Sequence, residues 1–129
     1  KCEQINFTEN TIHNLYNLLL NSFDNEFGGF GNAPKFPTPQ NFIFLLDYAL
    51  FYNSNTALEL VEKSLFNMRL GGIFDQVGYG FHRYSTDRFW LLPHFEKMLY
   101  DQAGLLIAYS KTYKITKNNF FFWYSQHFH

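Results

Sequence analysis

Residues 42–52 of the chain read FIFLLDYALFY, with Asp47 as the single charged side chain among them. A helix of this composition is apolar on nearly all sides, which is typical of a helix that neighbours bury on more than one face. It follows Thr38 and Pro39, a favourable N-cap residue and a proline at the first helical position. The stretch therefore predicts an inner helix that begins at Pro39 and is surrounded by other helices.

The helices predicted on either side of this stretch are apolar on one face only. The preceding helix begins after Thr8, a favourable N-cap, and carries these apolar side chains at helical spacing: Ile12, Leu15, Tyr16, Leu19 and Phe23. The following helix comes after a turn at residues 53–55 and is one-sided in the same way, with Ala57, Leu58, Val61, Leu65 and Met68. Both patterns predict outer helices with one exposed face.

A fourth helix is predicted from near Pro93 to about Tyr113, and Thr116 is predicted to cap a fifth. Residues 103–109 of the fourth helix are again small or apolar on most sides. The alternation of one-sided and all-round apolar helices predicts an all-α fold, the opening helical hairpins of an (α/α)6 toroid. A plain helical bundle is the alternative that the same pattern leaves open.

The composition indicates a part of something larger. Aromatic residues make up 22% of the 129 residues and charged residues only 16%, more apolar surface than so short a chain can bury. We therefore expect residues 1–129 to be the N-terminal fragment of one barrel domain, whose remainder covers these side chains. The net charge of −1 and the lack of a basic run or a membrane-length apolar run argue against nucleic acid and membranes as partners. Cys2 is the single cysteine, which excludes an internal disulfide, and a cytoplasmic location is the default expectation.

Two connections are much longer than the others, residues 24–37 and residues 71–92. In an up-and-down succession of helices both fall at the same end, and connections of this length usually carry function. The first is rich in glycine and proline, and its polar candidates are Asp24, Glu26 and Lys35. The glycines do not follow a strand in a phosphate-binding pattern, which argues against a nucleotide site.

The second connection and the predicted start of the fourth helix hold more titratable side chains than the first connection. Residues 81–86 alternate as in a short β-strand, and helical spacing predicts that His94, Lys97 and Asp101 share one helix face. Aromatic rings beside acid–base groups favour a carbohydrate site. The candidate catalytic residues are His82, His94, Asp75, Glu96 and Asp101, and the candidate substrate-binding residues are Arg83, Tyr84, Trp90, Lys97 and Tyr100.

A structural role explains several of these residues as well. His82 and His94 could instead be structural histidines. Asp75, Arg83 and Asp101 could instead form an ion-pair network that holds the loop to the helix. A metal site made of His82, His94 and Asp75 has no recognised ligand spacing. We therefore expect neither a metal ion nor an organic cofactor.

Four stretches carry a resemblance to a known family: FGGFGNAPKFP (27–37), GGIFDQVG (71–78), FHRYSTD (81–87) and WLLPHFEKMLYDQA (90–103). They resemble the YyaL-like, spermatogenesis-associated family of thioredoxin-domain-containing proteins. The resemblance implies a thioredoxin-like domain upstream of this chain, followed by a six-hairpin (α/α) barrel akin to N-acylglucosamine 2-epimerases and six-hairpin glycosidases. Tyr79 stands where the family pattern leads us to expect a glycine.

The resemblance implies a fold more than a reaction. A carbohydrate isomerase would need an acid and a base on opposite faces of the sugar, for which His82 and His94 are the candidates. A hydrolase would need two carboxylates, Asp75 with Glu96 or Asp101. The rival hypothesis is a non-catalytic binding or docking module that serves the thioredoxin-like domain, and a purely structural helical domain is the third. The expected partners are a small carbohydrate, the thioredoxin-like domain and the remainder of the barrel.

Overall fold

The structure, a computed structural model, describes residues 9–126. Five helices and one short hairpin follow one another along the chain: α1 (Glu9–Ser22), α2 (Pro39–Tyr52), α3 (Asn55–Leu70), β1 (Tyr84–Ser85), β2 (Pro93–His94), α4 (Leu99–Thr116) and α5 (Asn119–Gln126). Thr8, the predicted N-cap of the first helix, lies outside the described residues. The helical succession predicted from the hydrophobic pattern is thus confirmed for α1, α2 and α3.

α2 is the central helix, because it packs against α1, α3 and α4. Phe42, Leu45 and Leu46 are completely buried along it, as its all-round apolar sequence predicts. In α1, in contrast, Leu19 alone is buried, and it keeps 9% exposure, which fits an outer helix with one apolar face. α4 packs against α2, α3 and α5, and its Tyr109 is completely buried. α2 and α4 therefore form the inner layer.

The helix ends explain some of the boundaries. Ser54 caps α3, because its hydroxyl accepts a hydrogen bond from Ala57 N at 3.2 Å. Thr38 takes the predicted N-cap position of α2, but its φ is 45° and its hydroxyl donates to Pro37 O instead of capping the helix. The prediction that Thr116 caps the fifth helix is wrong: Thr116 ends α4, and Asn118 Oδ1 accepts from Phe120 N at 3.0 Å.

The fourth helix begins later than its sequence suggests. Pro93 reads as a first helical residue, but Pro93 and His94 form β2 and pair antiparallel with β1. Beyond β2, Arg83 N donates to Glu96 O at 2.7 Å, which keeps this segment extended. α4 begins only at Leu99. The predicted helix face that joins His94, Lys97 and Asp101 is therefore wrong, because backbone pairing with residues 83–85 overrides the helical spacing.

The two long connections meet at one end of the helices, as predicted. Lys35 N donates to Ser85 O and Ser85 N donates to Lys35 O, both at 2.8 Å, so the first connection adds a backbone bridge to β1. β1 lies within the predicted strand region, although the regular pairing covers only Tyr84 and Ser85. This small layer of extended backbone positions the candidate site.

Candidate functional site

A buried lysine joins the two long connections. Lys35 is completely buried, and its ammonium donates to Asp24 Oδ2 at 2.7 Å, Gly28 O at 2.8 Å and Arg88 O at 3.0 Å. Burial lowers the pKa of Lys35, but the three acceptors use all three N–H donors, so we assign the charged form. Lys35 and Asp24 are called the buried ion pair below. This pair ties the second connection to the first.

Asp24 is the acceptor at the centre of this cluster. Its Oδ1 accepts from the backbone N–H groups of Glu26 and Phe27 and from Arg88 Nη2, and its Oδ2 accepts from Arg88 Nε and Lys35. Burial alone would raise the pKa of Asp24, but the hydrogen bonds from Arg88 and Lys35 hold it well below its usual range. The carboxylate is ionised and fully engaged, so its role is to hold the loops together.

Trp90, predicted to bind substrate, lies inside the same layer. Its ring is completely buried, its indole N–H donates to Phe27 O at 2.9 Å, and Lys35 Nζ lies 5.2 Å from the ring centre. Gly29 is packed directly against the ring, because a Cβ there would lie 2.4 Å from Trp90 Cζ2. In this structure Trp90 fills the space between the two connections.

A cleft of about 210 Å³ opens beside this layer, where the N-terminal ends of α2 and α4 approach each other. It is lined by Phe36, Pro37, Thr38, Pro39, Gln40, Arg83, Met98, Tyr100 and Asp101. Three of these residues, Arg83, Tyr100 and Asp101, are predicted site residues. The structure therefore brings together one candidate acid and two candidate substrate-binding side chains.

Asp101 is the most unusual group of the cleft. It lies in the first turn of α4 and is about nine-tenths buried. Within the described part of the chain its carboxylate accepts no hydrogen bond, and Arg83 is the charged side chain that acts on it. Burial raises the pKa of Asp101, and the positive charge of Arg83 opposes that shift. A buried carboxylate with this environment is typical of an acid–base group.

Tyr84 lies between two other rings next to the cleft. Its ring centre is 4.7 Å from that of Phe36 and 5.0 Å from that of His94, to which it is nearly parallel at 9°. Glu96 Oε1 lies 3.5 Å from His94 Nδ1 and 3.9 Å from Arg83 Nη1. Surface ion pairs as exposed as that of Arg83 with Glu96 contribute about 0–1 kcal/mol, so this contact orients the side chains more than it stabilises the fold.

The two candidate histidines have different environments. His82 is about nine-tenths buried, its ring meets the edge of Phe95 at 5.2 Å, and its Nδ1 has no hydrogen-bond partner within the described residues. Burial and, to a lesser extent, the charge of Lys97 lower the pKa of His82, which favours the neutral ring. His94 is half exposed in contrast, and neither histidine lines the cleft.

Asp75 and Lys97 form a second ion pair, called the exposed ion pair below. Lys97 Nζ donates to Asp75 Oδ2 at 2.6 Å and to Tyr79 O at 2.8 Å. The hydrogen bond from Lys97 and those from two backbone N–H groups hold the pKa of Asp75 well below its usual range. The alternative network of Asp75, Arg83 and Asp101 is not the one that forms, since Asp75 pairs with Lys97 and Arg83 with Glu96.

Part of the cleft was not predicted from the sequence. Phe36 and Thr38 line it, yet Phe36 is not among the predicted site residues and Thr38 was predicted only as a helix cap. The dense Gly and Pro content of their connection signals a shaped loop but does not tell which side chains face outward. Met98 joins the lining because α4 begins late, which no local pattern reveals.

Across residues 9–126, no group of three His, Cys, Asp or Glu side chains is arranged to hold a metal ion. In the same range, every helix is too short or too polar to cross a lipid bilayer.

Curated proteins of greater length match the chain, although no family model does. Human spermatogenesis-associated protein 20 is 47% identical over 116 residues, or 86% of this chain, and its rat counterpart is 49% identical over 107 residues, or 80%. An uncharacterised protein from Caenorhabditis elegans is 43% identical over 117 residues, or 88%. The match covers 15%, 14% and 16% of these relatives, respectively, so the chain spans a small part of their length.

Solved structures agree on the fold. Cellobiose 2-epimerase from Bacillus thermoamylovorans superposes with a TM-score of 0.72 at 16% identity, covering 92% of this chain and 36% of the epimerase. Cellobiose 2-epimerase from Spirochaeta thermophila gives a TM-score of 0.73 at 15% identity, covering 94% and 36%. At such low identity the likeness shows the fold alone, which is that of an (α/α)6 barrel. The chain thus belongs to the spermatogenesis-associated protein 20 family and corresponds to part of an (α/α)6 barrel.

Proposed function

We propose that the cleft at the long-loop end binds one ring of a small carbohydrate, with Asp101 as an acid–base group. The observation that carries the proposal is the buried Asp101 carboxylate, which faces a cleft and lacks a hydrogen-bond partner among the described residues. Burying such a group without a partner costs stability, and groups buried at this cost are typical of functional sites. Arg83 and Tyr100 line the same cleft and supply N–H and O–H donors for sugar hydroxyls.

The size and shape of the cleft support a small polar ligand. Its volume of about 210 Å³ is below the roughly 300–1,000 Å³ of pockets for drug-sized ligands. Phe36 offers an apolar surface against which one face of a sugar ring can pack. Thr38 borders the cleft at a φ of 45°, a costly conformation for a β-branched residue, and such strain clusters at functional sites.

Cellobiose and glucose are the ligands to test first, because the two solved structures of the same fold are cellobiose 2-epimerases. An epimerase needs two acid–base groups, and the cleft lining contains Asp101 but neither His82 nor His94. The proposal therefore assigns the second group to a part of the longer protein that this chain does not span.

Asp101→Asn separates binding from stability. Because burial raises the folded pKa of Asp101 above its ordinary value of 3.8, the folded state holds more protons than the unfolded state just above that pH. Stability therefore falls as the pH rises through this window, and the asparagine variant should escape that loss. We expect the variant to be at least as stable at pH 7, yet to bind cellobiose or glucose roughly 10- to 100-fold more weakly, since hydrogen bonds to charged groups contribute about 1.5–3 kcal/mol.

Isothermal titration calorimetry on the full-length protein measures this, with Asp47→Asn as the matched control. Asp47 is exposed on α2, pairs with Lys111 and lies outside the cleft, so its variant should bind as the wild type does. Failure of the wild-type protein to bind either sugar at millimolar concentration would contradict the proposal. Equal binding by wild type and Asp101→Asn would remove Asp101 from the site.

A second function, docking of a thioredoxin-like domain, is favoured by one observation. Leu91, Leu92 and Phe95 are 62%, 58% and 76% exposed at the same end of the helices. Exposed apolar side chains grouped in this way are typical of protein contacts. If they carry the docking, the double variant Leu92→Ser, Phe95→Ser should lose chemical cross-links between the two domains of the full-length protein while keeping its sugar affinity. Unchanged cross-links would exclude this surface.

A further inference from the structure

The two long connections begin with the same structural unit. The stretches FDNEFGGF (23–30) and FDQVGYGF (74–81) are each closed by a backbone bridge between their first and last phenylalanines. In the first, Asp24 N donates to Gly29 O at 2.9 Å and Gly28 N to Asp24 O at 2.8 Å. In the second, Asp75 N donates to Gly80 O and Tyr79 N to Asp75 O at the same two distances.

The equivalence explains the unexpected Tyr79. Tyr79 occupies the place of Gly28, and both lie in the left-handed region, with φ values of 66° and 80°. A glycine at this position carries no steric cost, which is the physical reason to expect one. The carbonyl group matters more than the side chain here, because in each unit it accepts a hydrogen bond from a lysine.

The two lysines are equivalent although they are differently spaced. Lys35 lies 11 residues after Asp24, and Lys97 lies 22 residues after Asp75. Each ammonium bonds the aspartate Oδ2, at 2.7 and 2.6 Å, and the carbonyl at the left-handed position, at 2.8 Å in both cases. The buried and the exposed ion pair are thus two copies of one arrangement.

The copies differ in what covers them. The buried ion pair is covered by the second connection, from which Arg88 adds two hydrogen bonds to Asp24 and Trp90 packs on the lysine. The side chains of Asp24 and Lys35 are accordingly 3% and 0% exposed. Those of Asp75 and Lys97 are 28% and 35% exposed, and Val77 beside them is 89% exposed.

The chain has three arginines, and each is engaged elsewhere: Arg69 with Gln76, Arg83 with Glu96 and Arg88 with Asp24. Asp75 receives its hydrogen bonds from Lys97 and from the N–H groups of Val77 and Gly78. Compared with Asp24, it therefore lacks the two-pronged guanidinium contact. We propose that Asp75 accepts this contact from an arginine on the long loop of a further helical hairpin, in the part of the longer protein outside these 129 residues.

Two features support this contact: Arg88 covers Asp24 in the first unit, and the Asp75 carboxylate is partly exposed in the second. A loop that approaches the exposed ion pair meets Asp75 Oδ2 at the surface, and the exposed Val77 gives it an apolar contact in the place where the first unit has Glu26. In the first unit Arg88 also pairs with Glu26. Val77 carries no charge, so in the second unit the arginine pairs with Asp75 alone. Each hairpin of the barrel would then be fastened to the next by the same aspartate–lysine–arginine arrangement.

Amine-selective acetylation of the native full-length protein, read out by mass spectrometry, tests whether the exposed ion pair is covered. Lys114 is exposed on α4 and serves as the internal reference, and Lys35 serves as the protected one. We expect Lys97 to react at least tenfold more slowly than Lys114. A reaction rate equal to that of Lys114 would overturn the proposal.

Two substitutions in the full-length protein test whether the cover is an arginine. Asp75→Asn removes the charge but keeps an oxygen for the N–H groups of Val77 and Gly78, whereas Lys97→Met leaves the carboxylate for the guanidinium. With an arginine in place, Asp75→Asn lowers the melting temperature at least twice as much as Lys97→Met. Without an arginine, Lys97→Met lowers the melting temperature more than Asp75→Asn, since it removes the hydrogen bonds to both Asp75 and Tyr79. An equal or reversed order overturns the proposal even if Lys97 is protected.

Discussion

Gly72→Ala is expected to destabilise the folded protein by about 3–5 kcal/mol, as much as the loss of a large buried aromatic side chain. A Cβ on Gly72 would lie 1.9 Å from Leu91 O and 2.9 Å from Leu91 C, both of them backbone atoms that cannot rotate away. Gly71 has the same constraint, with a Cβ 2.5 Å from Trp90 O. The two glycines therefore let residues 71–73 pack on the backbone that carries Trp90, where Ile73 N donates to Trp90 O at 3.0 Å.

The added methyl group must push these two backbones apart. The indole of Trp90 would then leave the space between the connections, and Lys35, which donates to Arg88 O, would lose part of its cover. Gly31→Ala is the matched control. Gly31 has a φ of 80° but open space around its Cβ position. Gly31→Ala should therefore destabilise the protein by about 1–2 kcal/mol, the conformational strain alone.

Urea denaturation of the full-length protein and its two variants, followed by tryptophan fluorescence, measures both costs. An effect of Gly72→Ala no larger than that of Gly31→Ala would mean that the loop shifts without loosening Trp90. In that case the glycine pair would have to be explained by something other than backbone packing.

The helices could be predicted because their determinants are local. The all-round apolar sequence of α2 and the one-sided apolar sequence of α3 each predict which faces of the helix are buried. The start of α4 could not be predicted in this way. Pro93 and His94 extend because β1 pairs with them, and β1 is itself bridged to Lys35, which lies far away in the sequence.

The site was predictable in its composition but not in its grouping. Arg83, Tyr100 and Asp101 do share a cleft, whereas His82 turns inward beside Phe95 and Trp90 enters the core. Side-chain direction in an irregular connection depends on the whole loop, so residue type alone could not separate these fates. The repeated turn at Asp24 and Asp75 was not predicted, because the two stretches share only a few residues and the lysines follow at unequal distances, 11 and 22 residues later.

Lys35→Met is expected to destabilise the protein by about 2–4 kcal/mol, because Asp24 loses one of its two cations and two carbonyl groups lose their donor, at about 1–3 kcal/mol for each buried group left unsatisfied. Methionine fills most of the volume of lysine, so the packing around Trp90 is largely kept and the cost reports the lost contacts. Asp24 would retain Arg88, but Gly28 O and Arg88 O would lose their buried donor. Lys111→Met, which breaks the exposed pair with Asp47, should cost about 0–1 kcal/mol.

The pH dependence gives this prediction a second measurement. The folded pKa of Asp24 lies below its ordinary value of 3.8, so its stabilising contribution is fully present above that value and is lost as the pH falls through the folded pKa. Lys35→Met removes one of the two cations that lower this pKa, so the variant should lose less stability than the wild type between pH 7 and pH 3. Parallel pH profiles for the two proteins would show that Arg88 alone sets the ionisation of Asp24, and Lys35 would then act only through its bonds to the two carbonyl groups.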